Sequence, residues 1–376
     1  MRVEIKRVKT ARERRAFLTF PWELYRDDPC WVPPLLPERR KALDPDRGVF
    51  FQRGEADLFL ALRDGKVVGT VLAGEDPPIN QKRGKQACLF GFLEYVQDRA
   101  VFRALVETAE AWGQSRGLEM LYGPWNLDYE DGYGVLLEGF QRRPALMCGH
   151  SRPYYRAFME RAGFVPARPE NVALEIDLRP SAQFQRLDRL ADKVRERTGI
   201  RIREADFDRW QEEIDRVHGL LNRSLSHLDD HIGWRRDNLE STLEPFRRIA
   251  DPALILFAEA EGETVGFLPG LPDLNEILTD VNGLRYPWNY LQLAWLSRRR
   301  EIQRMTVKSV LVLPEYWNTG AAVLLFQALI HRAQSKGYRS TDLSITSIDN
   351  PSSVLTAEKL GAEIYKRWQV YQRPMG

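Results

Sequence analysis

The 376-residue chain has few cysteines, almost no net charge and no long hydrophobic run. Its three cysteines, Cys30, Cys88 and Cys148, are odd in number and far apart, which argues against a disulfide framework or a zinc knuckle. The 55 basic residues nearly cancel the 53 acidic ones, so no overall field attracts nucleic acid or an anionic membrane. No stretch reaches the roughly 18 apolar residues of a membrane span. We therefore expect a soluble, cytoplasmic protein without a metal site and without a nucleic-acid or membrane partner.

The chain does contain repeats, which indicate that one architecture occurs twice. Three pairs of segments share the same order of strands, helices and glycines: 58–74 with 254–270, 103–123 with 326–346, and 154–178 with 352–372. Each copy reads as strand, one or two helices, three strands, helix, strand, helix and strand. We therefore predict an N-terminal lobe over residues 1–179 and a C-terminal lobe over residues 180–376.

Each lobe carries an insertion at a different place. It falls between Gly117 and Gly163 in the first lobe and between Gly266 and Gly337 in the second. The second insertion contains tryptophans, among them Trp288 and Trp295. Tryptophan more often packs against protein than stacks on bases, and the overall charge is balanced. These residues are therefore expected to pack and not to bind RNA.

The second lobe contains the stretch "VLPEYWNTGAA" (312–322), which joins a strand to an amphipathic helix. This turn, with the glycine-capped helices before the last two strands of each copy, resembles the GNAT acyltransferase superfamily, here as two tandem GNAT-like lobes. The resemblance implies an α/β fold in which each lobe is a mixed, mostly antiparallel sheet flanked by helices. It also implies that acetyl-CoA or another acyl-CoA is a co-substrate.

The superfamily binds pyrophosphate with the pattern Arg or Gln, two residues, Gly, one residue, and Gly or Ala. The resemblance places six residues of this chain on the pattern: Trp317, Asn318, Thr319, Gly320, Ala321 and Ala322. Gly320 and Ala322 match, whereas Trp317 replaces the basic residue. Backbone N–H groups at the positive end of a helix bind phosphate without side-chain charge, so this loop is compatible with an acyl-CoA site. The alternative is an ordinary strand-to-helix turn in a lobe that has lost its ligand.

The resemblance also implies that the strand before this loop pairs with the pantetheine arm of CoA, through Leu311, Val312 and Leu313. The matching turn of the first lobe carries "QDR" at 97–99 and has no glycine, so we expect that lobe to be degenerate. If one lobe binds coenzyme, it is the second.

The sequence assigns catalytic side chains less directly. GNAT enzymes often place a tyrosine in the helix before the last strands, where this sequence has Ala357. Asn350, at the predicted start of that helix, is retained, although asparagine also serves as a plain helix cap. Asp342, on the strand that would line the cleft, is the candidate base, and an exposed strand-end carboxylate is the alternative. No Cys or Ser is placed as a nucleophile, which favours direct transfer.

An acceptor site is predicted in the first insertion, where "YGPWNLDYEDGYG" follows a strand end. The candidate contacts are aromatic, amide and carboxylate side chains: Tyr122, Trp125, Asn126, Asp128 and Tyr129. Loops after strand ends often form ligand sites in α/β folds, and such side chains suit an amine or an amino acid. A turn-rich loop packed against the other lobe is the alternative.

Together these patterns predict an acyl-CoA-dependent N-acyltransferase, most simply an N-acetyltransferase, that acts on a small amine or amino-acid-like acceptor by direct transfer. Two alternatives stay open. One is a non-catalytic GNAT-like module that binds CoA or another ligand, which the missing tyrosine and the missing basic residue favour. The other is an aminoacyl transferase that takes its donor from tRNA, which the balanced charge disfavours.

Overall fold

Strands and helices follow one another in a similar order in both halves of the chain. The structure, a computed structural model, describes residues 2–127, 132–228 and 231–376. The N-terminal half contains β1 (Glu4–Arg7), α1 (Ala11–Thr19), α2 (Pro21–Leu24), α3 (Leu36–Ala42), β2 (Glu55–Arg63), β3 (Lys66–Glu75), α4 (Pro77–Arg83), β4 (Ala87–Tyr95), α5 (Arg99–Gln114), β5 (Met120–Gly123), β6 (Val135–Glu138), α6 (Tyr154–Arg161), β7 (Val165–Pro166) and β8 (Asn171–Asp177). The C-terminal half contains α7 (Ala182–Thr198), β9 (Arg201–Glu204), α8 (Trp210–Ser224), α9 (Arg236–Leu243), β10 (Ile255–Ala260), β11 (Glu263–Pro272), α10 (Asn275–Leu278), α11 (Pro287–Arg299), β12 (Arg304–Val307), β13 (Leu311–Val312), α12 (Ala321–Ser335), β14 (Ser340–Ser347), α13 (Pro351–Lys359), β15 (Glu363–Gln369) and β16 (Tyr371–Pro374).

Side chains cap the first turns of several of these helices. At α1, Thr10 and Glu13 form a capping box, in which each side chain bonds the backbone N–H of the other residue. The Ser181 hydroxyl accepts from the N–H of Phe184 at the start of α7, and α7 ends at Gly199 in the left-handed conformation. The polar segment between the lobes is therefore a helix with defined ends.

The strands form two mixed sheets, and helices flank both of them. The first sheet has the order β1-β2-β3-β4-β5-β16-β7. The second has the order β6-β15-β8-β14-β12-β11-β10-β9, with β13 paired to β11. Neighbouring strands are antiparallel except for β4–β5 and β12–β14, which are parallel. The predicted fold class, mixed and mostly antiparallel sheets with flanking helices, is confirmed.

The two halves exchange strands. β6 and β8 belong to the N-terminal half by sequence but lie in the second sheet, where β8 sits between β14 and β15. Its Glu175 is opposite Asp342 of β14 and Glu363 of β15. In return β16, from the end of the chain, lies between β5 and β7 of the first sheet. The domain boundary at 179/180 stays a prediction, and each sheet draws strands from both sides of it.

Separate apolar cores cover the faces of the sheets. One core unites α7, α8 and α12 with strands of the second sheet, and its centre includes Leu256, Leu324 and Leu325, each with 0% exposure. In the first half, one core lies between the sheet and α5, and another lies between the sheet and α1 to α3. Among the residues that the structure describes, no helix has both the length and the apolar character to cross a membrane.

The second insertion folds into α10 and α11 and packs on the first half. Leu293 and Leu296 of α11 face a small core that they share with the loop before α3. The sequence predicts that Trp288 and Trp295 also pack, but they are 57% and 53% exposed. That expectation is wrong because the two leucines already occupy the inner face of α11.

Because β16 completes the first sheet, damage to it should destabilise the N-terminal half. Tyr371 is 2% exposed, and Tyr371→Ala removes an aromatic ring from the core, which should cost about 3–5 kcal/mol of unfolding free energy in denaturant titrations. Hydrogen exchange should accelerate first in β5, which pairs with β16. Tyr290→Ala, at a residue that is 50% exposed, is the control and should change the unfolding free energy by less than about 0.5 kcal/mol. Faster hydrogen exchange confined to β14 and β15 would contradict the placement of β16 in the first sheet.

Candidate active site

The candidate active site is an opening between two parallel strands of the second sheet. β12 and β14 pair up to Thr306, which is opposite Asp342. Beyond this point no strand pairing joins the two described segments, and each stays paired only with its outer neighbour: β13 with β11 and the end of β14 with β8. We call the opening between residues 308–313 and 343–347 the wedge, and the pair Thr306 and Asp342 its apex.

Both strands change conformation just beyond the apex. Ser309 and Ser344 have φ values of 55° and 61°, in the left-handed region that residues other than glycine rarely adopt. The Lys308 ammonium group donates to the Ser344 hydroxyl (3.2 Å) and to the carbonyl of Leu146, which belongs to the first insertion. The N–H of Val310 has no acceptor among the described residues. The narrow end of the wedge therefore holds a positive charge and a free backbone donor.

Backbone groups of β13 line one edge of the wedge. The Leu313 N–H donates to the carbonyl of Val265 on β11 (3.0 Å), and Leu311 is also paired with β11. Because successive residues of a strand turn their backbone groups to opposite edges, those of Val312 face the wedge. The Val312 carbonyl already accepts from the Trp317 indole (2.8 Å). Of the three residues predicted to pair with pantetheine, Val312 is thus the one whose N–H faces the opening.

The loop after β13 leads into α12 without a side-chain cap. Gly320, directly before the helix, has a φ of 92°. Within the described ranges, no acceptor is found for the N–H groups of residues 321–323. Trp317 and Asn318 are exposed and Thr319 is half-buried. Free N–H groups at the positive end of a helix attract anions, so this helix start is chemically suited to a phosphate.

Packing, more than any ligand, explains the glycine at 320. Its φ favours glycine, and a Cβ atom there would lie 2.6 Å from the Val194 side chain of α7. A substitution at Gly320 would therefore disturb the contact between α7 and α12 as well as any anion site. Ala322 lies two residues further along the chain and is therefore the better position at which to test anion binding.

In the first lobe, the start of the corresponding helix is capped by a side chain of the protein. The Asp98 carboxylate accepts from the N–H groups of Ala100 (2.7 Å) and Val101 (3.4 Å) at the start of α5. It also pairs with Arg63 (2.7 Å), and the hydrogen bond from Arg63 is the main reason that the pKa of Asp98 is lowered. A carboxylate in this position repels phosphate, which agrees with the expectation that the first lobe lacks a coenzyme cradle.

Asp342, the predicted base, is buried at the apex with 0% exposure. Its Oδ1 accepts from the Thr306 hydroxyl and the Ser344 N–H (2.9 Å each), and its Oδ2 accepts from the Tyr365 hydroxyl (2.7 Å). Arg304 Nη2 lies 3.6 Å from Oδ2. Contacts of this kind are typical of a carboxylate that holds strands together. The catalytic role of Asp342 stays a prediction.

A larger buried ionic cluster surrounds the apex. Arg304 Nε lies 3.2 Å from Glu175 Oε1 and 3.7 Å from Asp273 Oδ2. Burial raises the pKa of Asp273 to about 6 and lowers the pKa of Lys366, on β15, to about 8. The Lys366 ammonium group donates to the Gly139 carbonyl (2.6 Å). Because Gly139 belongs to the first insertion, this cluster ties that insertion to the sheet below the wedge.

The α13 region offers little acid–base chemistry. Asn350 is exposed and directly precedes α13, and its carbonyl accepts from the Val354 N–H (3.1 Å). Ala357, at the position of the family's tyrosine, is 5% exposed and packs in the main core. The phenol that touches the apex is Tyr365, and burial raises its pKa. Asn350 has the geometry of a helix start, and its catalytic role stays a prediction.

The predicted acceptor loop contributes mainly to the core where the structure describes it. Tyr122 and Trp125 are 4% and 6% exposed. The Asn126 side chain accepts from the Phe92 N–H of β4 and donates to the Gly132 carbonyl of the loop (2.7 Å each), so it ties the loop to the first sheet. Asp128 and Tyr129 lie outside the described residues. The packing alternative therefore accounts for the described part of this loop.

A cavity of about 280 Å³ lies beside this loop, between the two lobes. Trp125 and Leu127 line it from the first lobe, and His231 and Trp234 line it from the second. Burial lowers the pKa of His231, which favours a neutral imidazole there. A wider groove of about 680 Å³ runs along α12 near Arg195, and its lining residues do not include those of the wedge. The smaller cavity is the one that joins residues of both lobes near the predicted acceptor loop.

A second buried acid–base cluster lies at the end of β4, and none of the sequence motifs described above includes it. The Glu94 carboxylate accepts from the hydroxyls of Tyr25 (2.7 Å) and Tyr155 (2.8 Å). Burial raises the pKa of Glu94 to about 7, and the two hydroxyls lower it only in part. The signal in the sequence is a lone glutamate in the apolar run "CLFGFLEYV".

Comparison with known proteins relates this fold to GNAT acetyltransferases. Residues 215–362 match the model of the acetyltransferase (GNAT) family. A solved tandem GNAT protein from the clavulanic acid biosynthesis pathway is 16% identical, with a TM-score of 0.59, and the match covers 100% of this chain and 99% of that one. A GCN5-related N-acetyltransferase from Sphaerobacter thermophilus is 14% identical, with a TM-score of 0.54, and the match covers 99% of this chain and 96% of that one. At these identities the likeness is one of fold. The match over residues 215–362 and the tandem GNAT fold confirm the resemblance that the sequence indicates.

Two protein relatives extend the similarity over nearly the whole chain. Protein YghO from Escherichia coli (strain K12) is 29% identical over 374 residues, which covers 96% of this chain and 92% of that protein. A protein named bacterial ceramide synthase, from Caulobacter vibrioides, is 28% identical over 373 residues, which covers 98% of this chain and 96% of that protein. The similarity therefore includes both lobes.

The anion site at the start of α12 can be tested at Ala322, which is half-buried. Ala322→Glu places a carboxylate beside the free N–H groups, and an acidic residue in the first turn stabilises a helix by roughly 0.3–1 kcal/mol, so the fold should persist. Two like charges at roughly 5 Å and an effective dielectric constant of about 20 repel by about 3 kcal/mol, so binding of CoA should weaken about a hundredfold. Titration calorimetry measures the binding, and thermal unfolding measures the stability.

Ala322→Gln is the matched control, because it has the same shape and no charge. It should bind CoA within about threefold of the wild type. Equal affinities for the Glu and Gln variants would show that the phosphates bind elsewhere.

The raised pKa of Glu94 predicts a pH-dependent stability. A carboxyl group whose pKa rises from 4.5 in the unfolded chain to about 7 in the fold contributes its full stabilisation below about pH 4.5 and loses it as the pH rises through 7. Glu94→Gln keeps an acceptor for the Tyr25 and Tyr155 hydroxyls and removes the titration. In urea unfolding it should match the wild type near pH 5 and exceed it by roughly 1–3 kcal/mol near pH 8. If the wild type is more stable than Glu94→Gln near pH 8, the raised pKa of Glu94 is contradicted.

Proposed function

We propose that this protein transfers an acyl group from acyl-CoA to the amine of a long-chain amino alcohol and so forms an amide. The open start of α12 beside the wedge carries the proposal, because free N–H groups at a helix start suit the pyrophosphate of CoA. The relative named bacterial ceramide synthase supports the acceptor class, since ceramides are N-acyl derivatives of such amino alcohols.

Backbone groups would form most of the hydrogen bonds to CoA. The N–H groups of residues 321–323 would bind the phosphates, and the Val312 N–H would bind the pantetheine arm. CoA supplies the thioester whose carbonyl carbon the amine attacks. Val310 directly precedes β13 at the narrow end of the wedge, and its free N–H would polarise a carbonyl group there.

Trp317 replaces the cation of the family pattern and gives the mouth of the wedge a different character. Its indole bonds the Val312 carbonyl, and its ring lies 5.5 Å from the His227 ring, centroid to centroid. The loss of a cation lowers the affinity expected for phosphate, whereas the indole adds an apolar wall. Such a wall suits a long acyl chain or a lipid amine better than a small polar acceptor.

The chemistry requires that the amine lose a proton and that the CoA thiolate be stabilised as it leaves. We assign the stabilisation of the thiolate to the Lys308 ammonium group, because it lies at the narrow end of the wedge between the two strands. Asp342 has both carboxylate oxygens occupied, so the proton of the amine passes to solvent in this proposal. The amine attacks the thioester directly, and no acyl-enzyme forms.

The test is an assay of the purified protein with acetyl-CoA or palmitoyl-CoA as donor and with sphinganine or a short amino alcohol as acceptor. Mass spectrometry should show the N-acyl derivative of sphinganine, and a thiol reagent should show one CoA released per amide formed. Ala322→Glu should lower the rate at limiting donor about a hundredfold, and Ala322→Gln should not. Binding of acyl-CoA without turnover would favour the non-catalytic module. A requirement for charged tRNA would favour the aminoacyl transferase.

A further inference from the structure

We propose that α11 docks the protein on an anionic membrane surface. This inference goes beyond acyl transfer and does not rest on it. The helix presents three large apolar side chains to solvent, with Trp288 57% exposed, Leu291 76% exposed and Trp295 53% exposed. Their spacing of three and four residues places them along one face of the helix. Tyr286, just before the helix, stacks on the Trp288 ring at 4.6 Å.

The opposite face of α11 is fixed to the protein. Leu293 and Leu296 pack in the core shared with the loop before α3. Asn289 is 3% exposed, and its side-chain oxygen accepts from the Tyr286 N–H (2.9 Å) at the start of the helix. The helix is therefore anchored by its inner face, and its apolar outer face has no cover from the described part of this chain.

The charge around the outer face selects an anionic surface. The last turn of α11 carries Arg298 and Arg299, which are both exposed. Arg300 follows them and pairs with Asp280. Between residues 281 and 300 the sequence has no carboxylate. Basic residues are attracted to anionic lipid headgroups, so the proposal departs from the expectation, drawn from the charge of the whole chain, that no membrane is involved.

The chemistry of the outer face is that of an interfacial helix. Tryptophan and tyrosine prefer the boundary between headgroups and acyl chains, and a helix with apolar residues on one side and arginines beside them lies in the plane of the bilayer. Leu291, which is 76% exposed, would enter the acyl region between the two indoles. A lipid surface covers all of these groups at once, since it offers apolar chains and phosphates side by side.

The position of α11 in the chain connects docking to the wedge. The helix ends at Arg299, and β12 begins at Arg304 and leads to the apex at Thr306. Docking through α11 would therefore bring the start of β12 towards the bilayer. A lipid amine with long chains leaves the bilayer only at its surface, so this arrangement suits the acceptor class proposed above.

Flotation of the full-length protein with phosphatidylcholine vesicles, with and without phosphatidylglycerol, tests the proposal. We expect binding that requires phosphatidylglycerol, weakens as salt is raised and shifts tryptophan emission to the blue. Leu291→Glu should weaken binding at least about tenfold and leave thermal unfolding unchanged, since that side chain is 76% exposed. Leu190→Glu, at a leucine of α7 that is 48% exposed, is the matched control and should bind as the wild type does.

Absence of binding to phosphatidylglycerol vesicles, or equal binding by the two variants, would overturn the proposal. A dimer in analytical ultracentrifugation that Leu291→Glu alone dissociates would also overturn it, because a second copy would then cover this face. Calorimetry with acyl-CoA separates this question from the proposed function. Leu291→Glu should bind acyl-CoA like the wild type, whatever the vesicles show.

Discussion

The separation of β12 from β14 at a buried carboxylate is the constraint on which the site depends. Parallel strands bond evenly along their length, so an opening between them leaves backbone groups on its two inner edges without strand partners. Here β11 and β8 hold β13 and the end of β14 from their outer edges, so the two edges that face each other stay open. At the apex, Asp342 accepts from the Thr306 and Tyr365 hydroxyls and from the Ser344 N–H. The wedge is therefore part of the fold and does not need a ligand to open it.

The starts of two corresponding helices differ at a single position that decides whether their first N–H groups are free. The residue before α5 is Asp98, and the residue before α12 is Gly320. An aspartate at this position bonds the first N–H groups of the helix with its own carboxylate, whereas a glycine leaves them free. The difference explains why the coenzyme site is proposed in one lobe, although the order of strands and helices is similar in both.

The sequence predicts the fold class and the order of elements because glycine caps and apolar periodicity are local signals. It does not predict the strand exchange, since nothing within β8 or β16 records which sheet will bond them. The burial of Asp342 is hidden for the same reason, because two of its donors come from other strands. The exposure of Trp288 and Trp295 is hidden because both faces of α11 carry apolar residues, and the pattern does not say which face packs.

The strand exchange also limits how such a chain can be divided or inherited. Either half by itself would present an open sheet edge where a strand of the other half belongs, and open edges invite pairing with other chains. A gene that lost one half would encode an aggregation-prone fragment in place of a smaller folded protein. Two sheets joined in this way are therefore difficult to separate into independent proteins.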